Sequence, residues 1–454
     1  MNRTDKMGTE RIGKLLVRLA APAVAAQIVN LLYNIVDRIY IGHIADVGAT
    51  ALTGVGLFVP ILMLITAFAG LIGSGGAPLA AIAMGQGDSD RAERIMGNCL
   101  TALSNVGIFL TVLLLLFAQD LLRFFGASEE TLPYALQYSQ IYIAGTMATM
   151  LTLGLNPFIS AQGFATISMM TTVIGAAINI ALDPLLIFTF GMGVRGAAVA
   201  TVFSQLVSSL WIIAFLCGKK TTLKLRRRFL RVRWSVLSPC LALGVSSFVM
   251  LSTESLLSIA FNRSLATYGG DLAVGAMTVI SSLNSIVIMP IQGVTQGGQP
   301  IMSYNFGAGV KARVKETFQR MLVVDAVYAC AFCLIVQLFG RPLAGIFTDD
   351  TVLQDYAVWA MRIYFAGIFA IGFQVTCQQG FVALGQAKVS LLLACLRKLA
   401  LLIPLILILP QFMDNQILAV FLAEPVSDIL AAIITCTVFF SRFNGILAEG
   451  PRRA

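Results

Sequence analysis

The stretch GGAPLAAIAMGQG (75–87) returns as GGQPIMSYNFGAG (297–309), 222 residues further along the chain. Gly75, Gly76, Pro78, Gly85 and Gly87 fall on Gly297, Gly298, Pro300, Gly307 and Gly309, and Arg91 falls on Arg313. The same register carries Ile141, Tyr142, Ala144 and Gly145 onto Ile363, Tyr364, Ala366 and Gly367, and Gly163 and Ala165 onto Gly385 and Ala387. Apolar composition alone does not hold one unshifted register over about 90 residues, so the chain is read as a duplicated unit.

The solvent of each unit follows from composition. Of 454 residues, 58% are hydrophobic and 12% charged, and the mean hydropathy is +0.86. That is too apolar for a water-facing surface. Apolar runs of about 20 residues cross a hydrocarbon layer ~30 Å thick as helices. Twelve such runs are predicted, at 15–41, 51–84, 93–117, 134–159, 166–189, 194–217, 236–262, 272–304, 314–339, 356–384, 388–411 and 416–441. The expected fold is an all-α polytopic membrane protein of twelve transmembrane helices in two six-helix lobes. The expected division is an N-lobe (1–218), a basic cytoplasmic linker (219–235) and a C-lobe (236–454). With an even number of spans in each half, the copies share one orientation about an axis along the membrane normal, the arrangement of a rocking transporter with its site between lobes.

Basic residues in short loops stay on the cytoplasmic side. The central loop carries Lys219, Lys220, Lys224, Arg226, Arg227, Arg228, Arg231 and Arg233 without an acid, and Lys311, Arg313, Lys315, Lys388, Arg442, Arg452 and Arg453 fall on the same side. Asp46, Asp120, Glu129, Glu130, Asp271, Asp349, Asp350 and Asp414 fall opposite. Both termini are therefore expected in the cytoplasm of a bacterium, with the chain multi-pass in its inner membrane. The basic N-terminal stretch lacks a short apolar core followed by a small-residue cleavage site, so no removable signal peptide is expected. The net charge of +9 reads as topology plus contact with anionic lipid headgroups, and no nucleic-acid partner is expected.

Most of the eight cysteines lie inside predicted helices, and no disulfide framework follows. Cys330 and Cys333 form a C-x-x-C without a second pair or a histidine nearby, which favours packing over metal or redox chemistry. Gly8 through Lys14 matches a phosphate-loop spacing, but Leu15 stands where Ser or Thr is required. Gly191, Gly193 and Gly196 spell G-x-G-x-x-G within a short turn between spans rather than after a strand. Neither nucleotide binding, a structural metal, a cofactor nor enzymatic activity is expected.

A carboxylate inside a membrane helix is costly and is a functional candidate by default. Asp37 lies toward the outer end of the first span and Asp183 in the outer part of the fifth, just before Pro184. Asn179, four residues before Asp183, shares its helix face, and Thr201 on the sixth span offers a hydroxyl; together they supply hard oxygen ligands. The bland alternative for Asp37 is a surface ion pair with Arg38. At the offset of 222, Asp37 and Asp183 fall on Ile259 and Leu405, so the second lobe lacks images of both acids. Glu424 and Asp428 stand one turn apart on the twelfth span, and Arg397 and Lys398 lie on the antiparallel eleventh at similar depth. Arg397 and Asp428 are expected to form a buried structural ion pair. Asp325 has no partner that the sequence names.

The stretches LLYNIVDRIYIGHIADVGATALTGVGLFVPI (31–61), AQGFA (161–165), NIALDPLLIF (179–188), GVRGAAVATVFSQ (193–205) and AEPVSDIL (423–430), with the paired glycine-proline segments, resemble the multidrug and toxic compound extrusion (MATE) family. The resemblance covers the whole chain and is closest to the DinF-like branch and its MepA-like multidrug exporters. It implies a V-shaped secondary antiporter that exports lipophilic or cationic drugs in exchange for H+ or Na+. It also implies that Asp37, Asn179, Asp183 and Thr201 form an N-lobe cation site, with Tyr33, Asn34, Tyr142 and Asn156 as weaker candidates around it or on the substrate. Glu254 resembles a C-lobe carboxylate of the NorM-like branch, yet the stretch IGFQVTCQQ (371–379) has no acid to join it. Glu254 therefore either touches substrate or cation, or is a hydrogen-bonded structural group. The expected functional unit is a monomer surrounded by lipid, with small organic cations as cargo. A flippase for lipid-linked precursors is the rival reading, and would favour basic residues in the membrane cavity. A channel, the weaker rival, would show no ion-coupled accumulation.

Overall fold

The structure is a computed structural model that describes residues 3–44, 47–348 and 350–451. Asp46, Asp349, Arg452 and Arg453 lie outside the described residues, so their expected sides are not addressed by it.

The chain is helical throughout its spans. After a short helix, Arg3–Thr9, come α1 (Ile12–Gly42), the short Gly48–Gly56, α2 (Val59–Gly85) and α3 (Ser89–Phe124). Then follow α4 (Leu132–Ala144 and Thr146–Ala161), α5 (Ala165–Pro184) and α6 (Val194–Cys217). The helix Trp234–Gly307 runs for 74 residues, about 111 Å at ~1.5 Å per residue, against a hydrocarbon layer of ~30 Å. It reverses at Gly270, whose φ of 64° and ψ of −160° suit only glycine, and so comprises two spans, α7 (234–269) and α8 (271–307). The sequence predicts a loop at 263–271; the chain instead turns on this single residue. The last four spans are α9 (Lys311–Gly345), α10 (Thr351–Tyr364 and Ile368–Ala383), α11 (Ala387–Gln411) and α12 (Gln416–Glu449). Side-chain caps start three of them: Asp88 accepts from Arg91 N at 2.9 Å, Asp350 from Val352 N at 2.9 Å and Asn415 from Leu418 N at 3.1 Å.

Several spans depart from single straight helices. The two parts of α4 meet at 57° around Gly145, where Val202 of α6 leaves no room for a side chain. In α11, the turn Leu396–Leu402 is π-helical, as is Leu185–Thr189 directly after α5. Such turns insert a residue and redirect the side chains around them.

The duplication is visible in the packing. A methyl on Gly85 would overlap the carbonyl of Tyr304, and one on Gly307 would overlap that of Ile82. Tyr304 and Gly307 are the images of Ile82 and Gly85 at the offset of 222, so α2 and α8 touch through equivalent surfaces about a pseudo-two-fold axis. Related contacts flank this one: Gly75 and Gly244 of α2 and α7 meet Cys240 and Leu71, while Gly297 and Gly293 of α8 meet Ala20 and Val24 of α1. All lie between mid-membrane and the side that carries the basic loop. There the lobes exchange elements. Ile12, Leu15, Leu16 and Leu19 of α1 join a core with Phe318, Phe381 and Phe439, while Leu237 and Cys240 of α7 join the N-lobe core.

The linker does not hang free between the lobes. Gln162 Oε1 accepts from the Thr221 hydroxyl and from the amides of Thr222 and Leu223 at 2.8–2.9 Å. Glu93 accepts from Lys224 N at 3.1 Å and pairs with Arg226 at 2.7 Å; Asn98 accepts from Arg233 N at 2.6 Å. The acids absent from the loop are thus supplied by α3. On the other lobe, Arg313 donates to the carbonyls of Met7 and Glu10 at 2.9 and 2.7 Å, tying the N-terminal segment to the start of α9.

Gly244→Ala is expected to force α7 away from α2, because backbone atoms rather than a flexible side-chain tip oppose the new methyl. Cys240, now fully buried, would gain reactivity toward a membrane-permeant maleimide, measured on its own peptide by mass spectrometry. Unchanged protection would show that the seal absorbs the methyl.

Candidate functional site

Three helices of the N-lobe carry polar side chains to one point. Asp37 comes from α1, Asn179 and Asp183 from one face of α5, and Thr201 from α6; all four are buried. Asn179 Nδ2 donates to Asp183 Oδ1 at 3.3 Å and to Thr201 Oγ1 at 3.2 Å, and Thr201 Oγ1 donates to the carbonyl of Ala197 at 3.0 Å. The carboxyl groups of Asp37 and Asp183 adjoin within hydrogen-bonding reach, which ionised carboxylates occupy only with a proton or cation between them.

The donor count exposes what the site lacks. Asp37 Oδ1, Asn179 Oδ1 and Asp183 Oδ2 are buried and have no hydrogen-bond partner among the described residues. All three are acceptors. A buried acceptor left unmade costs about 1–3 kcal/mol, and more if charged, and the oxygens gathered here are of the hard type that receives a proton or a small hard cation. Arg38 does not fill that role: it is exposed and forms no ion pair with Asp37 among the described residues, so Asp37 is not one half of a surface pair.

Tyrosines close the pocket. Tyr33 of α1 and Tyr138 of α4 both reach Thr201, and Tyr142 reaches Thr149. The rings of Tyr138 and Tyr142 stack at 5.9 Å, with Phe58 against both at 5.6 and 5.0 Å. Sequence reasoning missed Tyr138; its position one turn before Tyr142, on the same helix face, was the available signal. Asn34 is not brought to the cluster. It is exposed, and its amide returns to the carbonyl of Asn30 at 2.6 Å.

Beside Tyr33, toward the basic side, lies a cavity of about 390 Å³ between α1, α2, α4, α5 and α6, bordered by α7 and α8. Gln27, Asn30, Asn156, Gln205 and Gln296 are among the residues that line it, and no charged side chain does among the described residues. Asn156 donates to Ser168 O at 3.3 Å, and Gln27 donates to Gln296 Oε1 at 3.2 Å across the lobes. Amides inside predicted spans, rare enough to be noticed, were the signal that would have found this wall.

Of the C-lobe acids, Asp428 has the partner expected from the sequence, while Glu254 and Asp325 have partners that the sequence did not reveal. Arg397 reaches Asp428 Oδ1 from Nε at 3.0 Å and Nη2 at 2.8 Å. Lys398 donates to the Glu254 carboxylate and to Met250 O, so Glu254 faces a cation rather than a second acid. Asp325 accepts from the Thr376 hydroxyl at 2.6 Å. No group of three or more metal-ligating side chains occurs among the described residues.

This helical duplication, with the acid pair confined to one lobe, has known counterparts. The MatE family model matches residues 22–185 and 246–408, once in each half. The chain belongs to the MatE family. Members of this family are transporters and not enzymes. Among curated MatE relatives, the multidrug export protein MepA of Staphylococcus haemolyticus is 24% identical over 425 residues, and that of Staphylococcus aureus strain N315 is 22% identical over 423; each match covers 93% of both chains. A crystal structure of MATE in the bent conformation superposes with a TM-score of 0.92 at 24% identity over 99% of both chains. A MOP-superfamily transporter from Pyrococcus furiosus superposes with a TM-score of 0.90 at 24% identity, covering 97% of this chain and 98% of that one. The MatE fold, twelve helices in two lobes spanning a membrane, is thereby established.

Proposed function

We propose that the chain is a secondary antiporter that exports lipophilic or cationic drugs and related organic compounds in exchange for H+ or Na+. The observation that carries this reading is the buried Asp37–Asp183 pair, beside which three oxygens have no hydrogen-bond donor among the described residues. Asn179 and Thr201 act as neutral helpers that orient Asp183. The names of the MepA relatives support the cargo class, and the cavity beside Tyr33 has the size of a small-molecule site. An anionic lipid headgroup is a poorer cargo, because Arg397 and Lys398 are engaged by Asp428, Glu424 and Glu254.

Exchange follows from competition for one charge state. With both carboxylates ionised, repulsion disfavours the close approach of α1 and α5; an incoming proton or Na+ relieves it and biases α1 between two arrangements. The lobes, 1–218 and 236–454, would then part on the basic side and close opposite, with 219–235 as the connection between them. The reading places both termini in the cytoplasm of a bacterium, with the monomer in its inner membrane as the working unit.

In inside-out vesicles, an outward-directed proton or sodium gradient, with the lumen acidic or sodium-rich, is expected to drive accumulation of ethidium, and the gradient that fails to do so is not the coupling one. Equally rapid uptake with both gradients collapsed, in vesicles shown to be tight, would indicate a channel.

A further inference from the structure

The C-lobe holds a second group of buried charges that the exchange reading above does not use. Arg397 and Lys398 are adjacent in the π-helical turn of α11, so they point to different neighbours. Arg397 turns to α12, bonding Asp428 twice and approaching Glu424 Oε1 at 3.5 Å. Lys398 turns to α7, where Glu254 and the carbonyl of Met250 receive it. Tyr364 of α10 faces the same group.

Three carboxyls meet two cations, which leaves one negative charge if every group is ionised. An unmatched charge in an apolar interior costs several kcal/mol, far more than taking up a proton at ordinary pH. Geometry selects the carboxyl. Asp428 receives both short bonds from Arg397, and Glu254 has Lys398 while its side chain keeps 46% of its exposure. Glu424 has one contact at 3.5 Å, a side chain 7% exposed, and a buried Oε2 without a partner. Asp428 Oδ2, one turn away on the same face of α12, is likewise buried and unpartnered. A proton on Glu424 restores neutrality and places a donor beside that orphaned acceptor.

The duplication supports a site here. The cluster is built on α7, α11 and α12, the images of α1, α5 and α6 that carry Asp37, Asp183 and Thr201. Tyr364 is the image of Tyr142. Glu254, Arg397 and Asp428 stand five, eight and five residues from the images of Asp37, Asp183 and Thr201, each displaced toward the basic side. The same three-helix junction therefore houses an ionisable cluster in both lobes, one to two turns deeper in the second.

We infer that this C-lobe cluster is a second proton-binding site, in which Glu424 carries the proton while Arg397, Lys398, Asp428 and Glu254 remain ionised around it. The inference does not depend on which ion the N-lobe exchanges. Its test is infrared spectroscopy of the purified full-length protein in lipid nanodiscs near neutral pH, reading the carbonyl stretch of a protonated carboxylic acid. Glu424→Gln is expected to remove one such band while leaving the melting temperature within a few degrees of wild type, since a neutral amide replaces a neutral acid. Asp183→Asn is expected to leave that band in place, which separates this site from the N-lobe reading. An acid band undiminished in Glu424→Gln overturns the inference, as does a large loss of thermal stability, which marks Glu424 as an ionised partner of Arg397. Should Glu424→Gln fail to fold, Glu424→Asp takes its place: a shifted band supports the assignment and an unshifted one overturns it.

Discussion

Asp183→Asn is expected to abolish gradient-driven export while leaving the protein folded. Asparagine preserves the shape and still meets Asn179 and Thr201, but it neither takes up a proton nor neutralises a cation. Removing the carboxylate that pairs with a buried cation costs about 2–5 kcal/mol of their interaction. That is roughly 30-fold to several-thousandfold in site occupancy. Asp37→Asn should do the same, and the double variant should be little worse than either single one, because two groups that act as a unit are lost together at the first substitution. The measurement is coupled transport in proteoliposomes, normalised to folded protein. Wild-type coupling in Asp183→Asn would falsify the site assignment and leave family membership untouched.

Arg397→Ala is expected to have the largest effect on stability. It leaves Asp428 buried without its two short bonds and removes the cation that contacts Glu424. Breaking a buried pair from one side costs about 3–5 kcal/mol, whereas replacing both partners by apolar groups is often neutral. Arg397→Lys should recover only part of the loss, since lysine lacks the fork that donates twice to one carboxylate. Arg397→Met combined with Asp428→Leu should recover more. Thermal melting in detergent, followed by loss of monodisperse protein, distinguishes these cases. An Arg397→Ala protein as stable as wild type would show that the pair is solvated or dispensable.

What the sequence determined by itself were the properties that local composition controls. The membrane as solvent follows from residue counts, the spans from runs of apolar residues, and the duplication from a glycine-proline pattern repeated at one offset. Asp37 and Asp183 were legible for the same reason: a charge inside an apolar run is conspicuous whatever surrounds it. Helical spacing put Asn179 beside Asp183 without any knowledge of tertiary contacts.

Tertiary structure alone decided which faces of distant helices meet. Lys398 was visible beside Arg397, but whether it faced α12 or α7 depended on the π-helical turn that rotates it toward Glu254. Asp325 found Thr376 across 51 residues, and the uncharged cavity gathered amides from helices of both lobes. The crossing of α1 and α7 into each other's lobes is equally invisible to local reading, because it rests on glycines whose missing side chains let two backbones touch. Hydropathy measures how readily a segment leaves water, a property of that segment alone. The rotation of a helix about its own axis and the neighbour it then meets depend on the fit between two surfaces far apart in sequence.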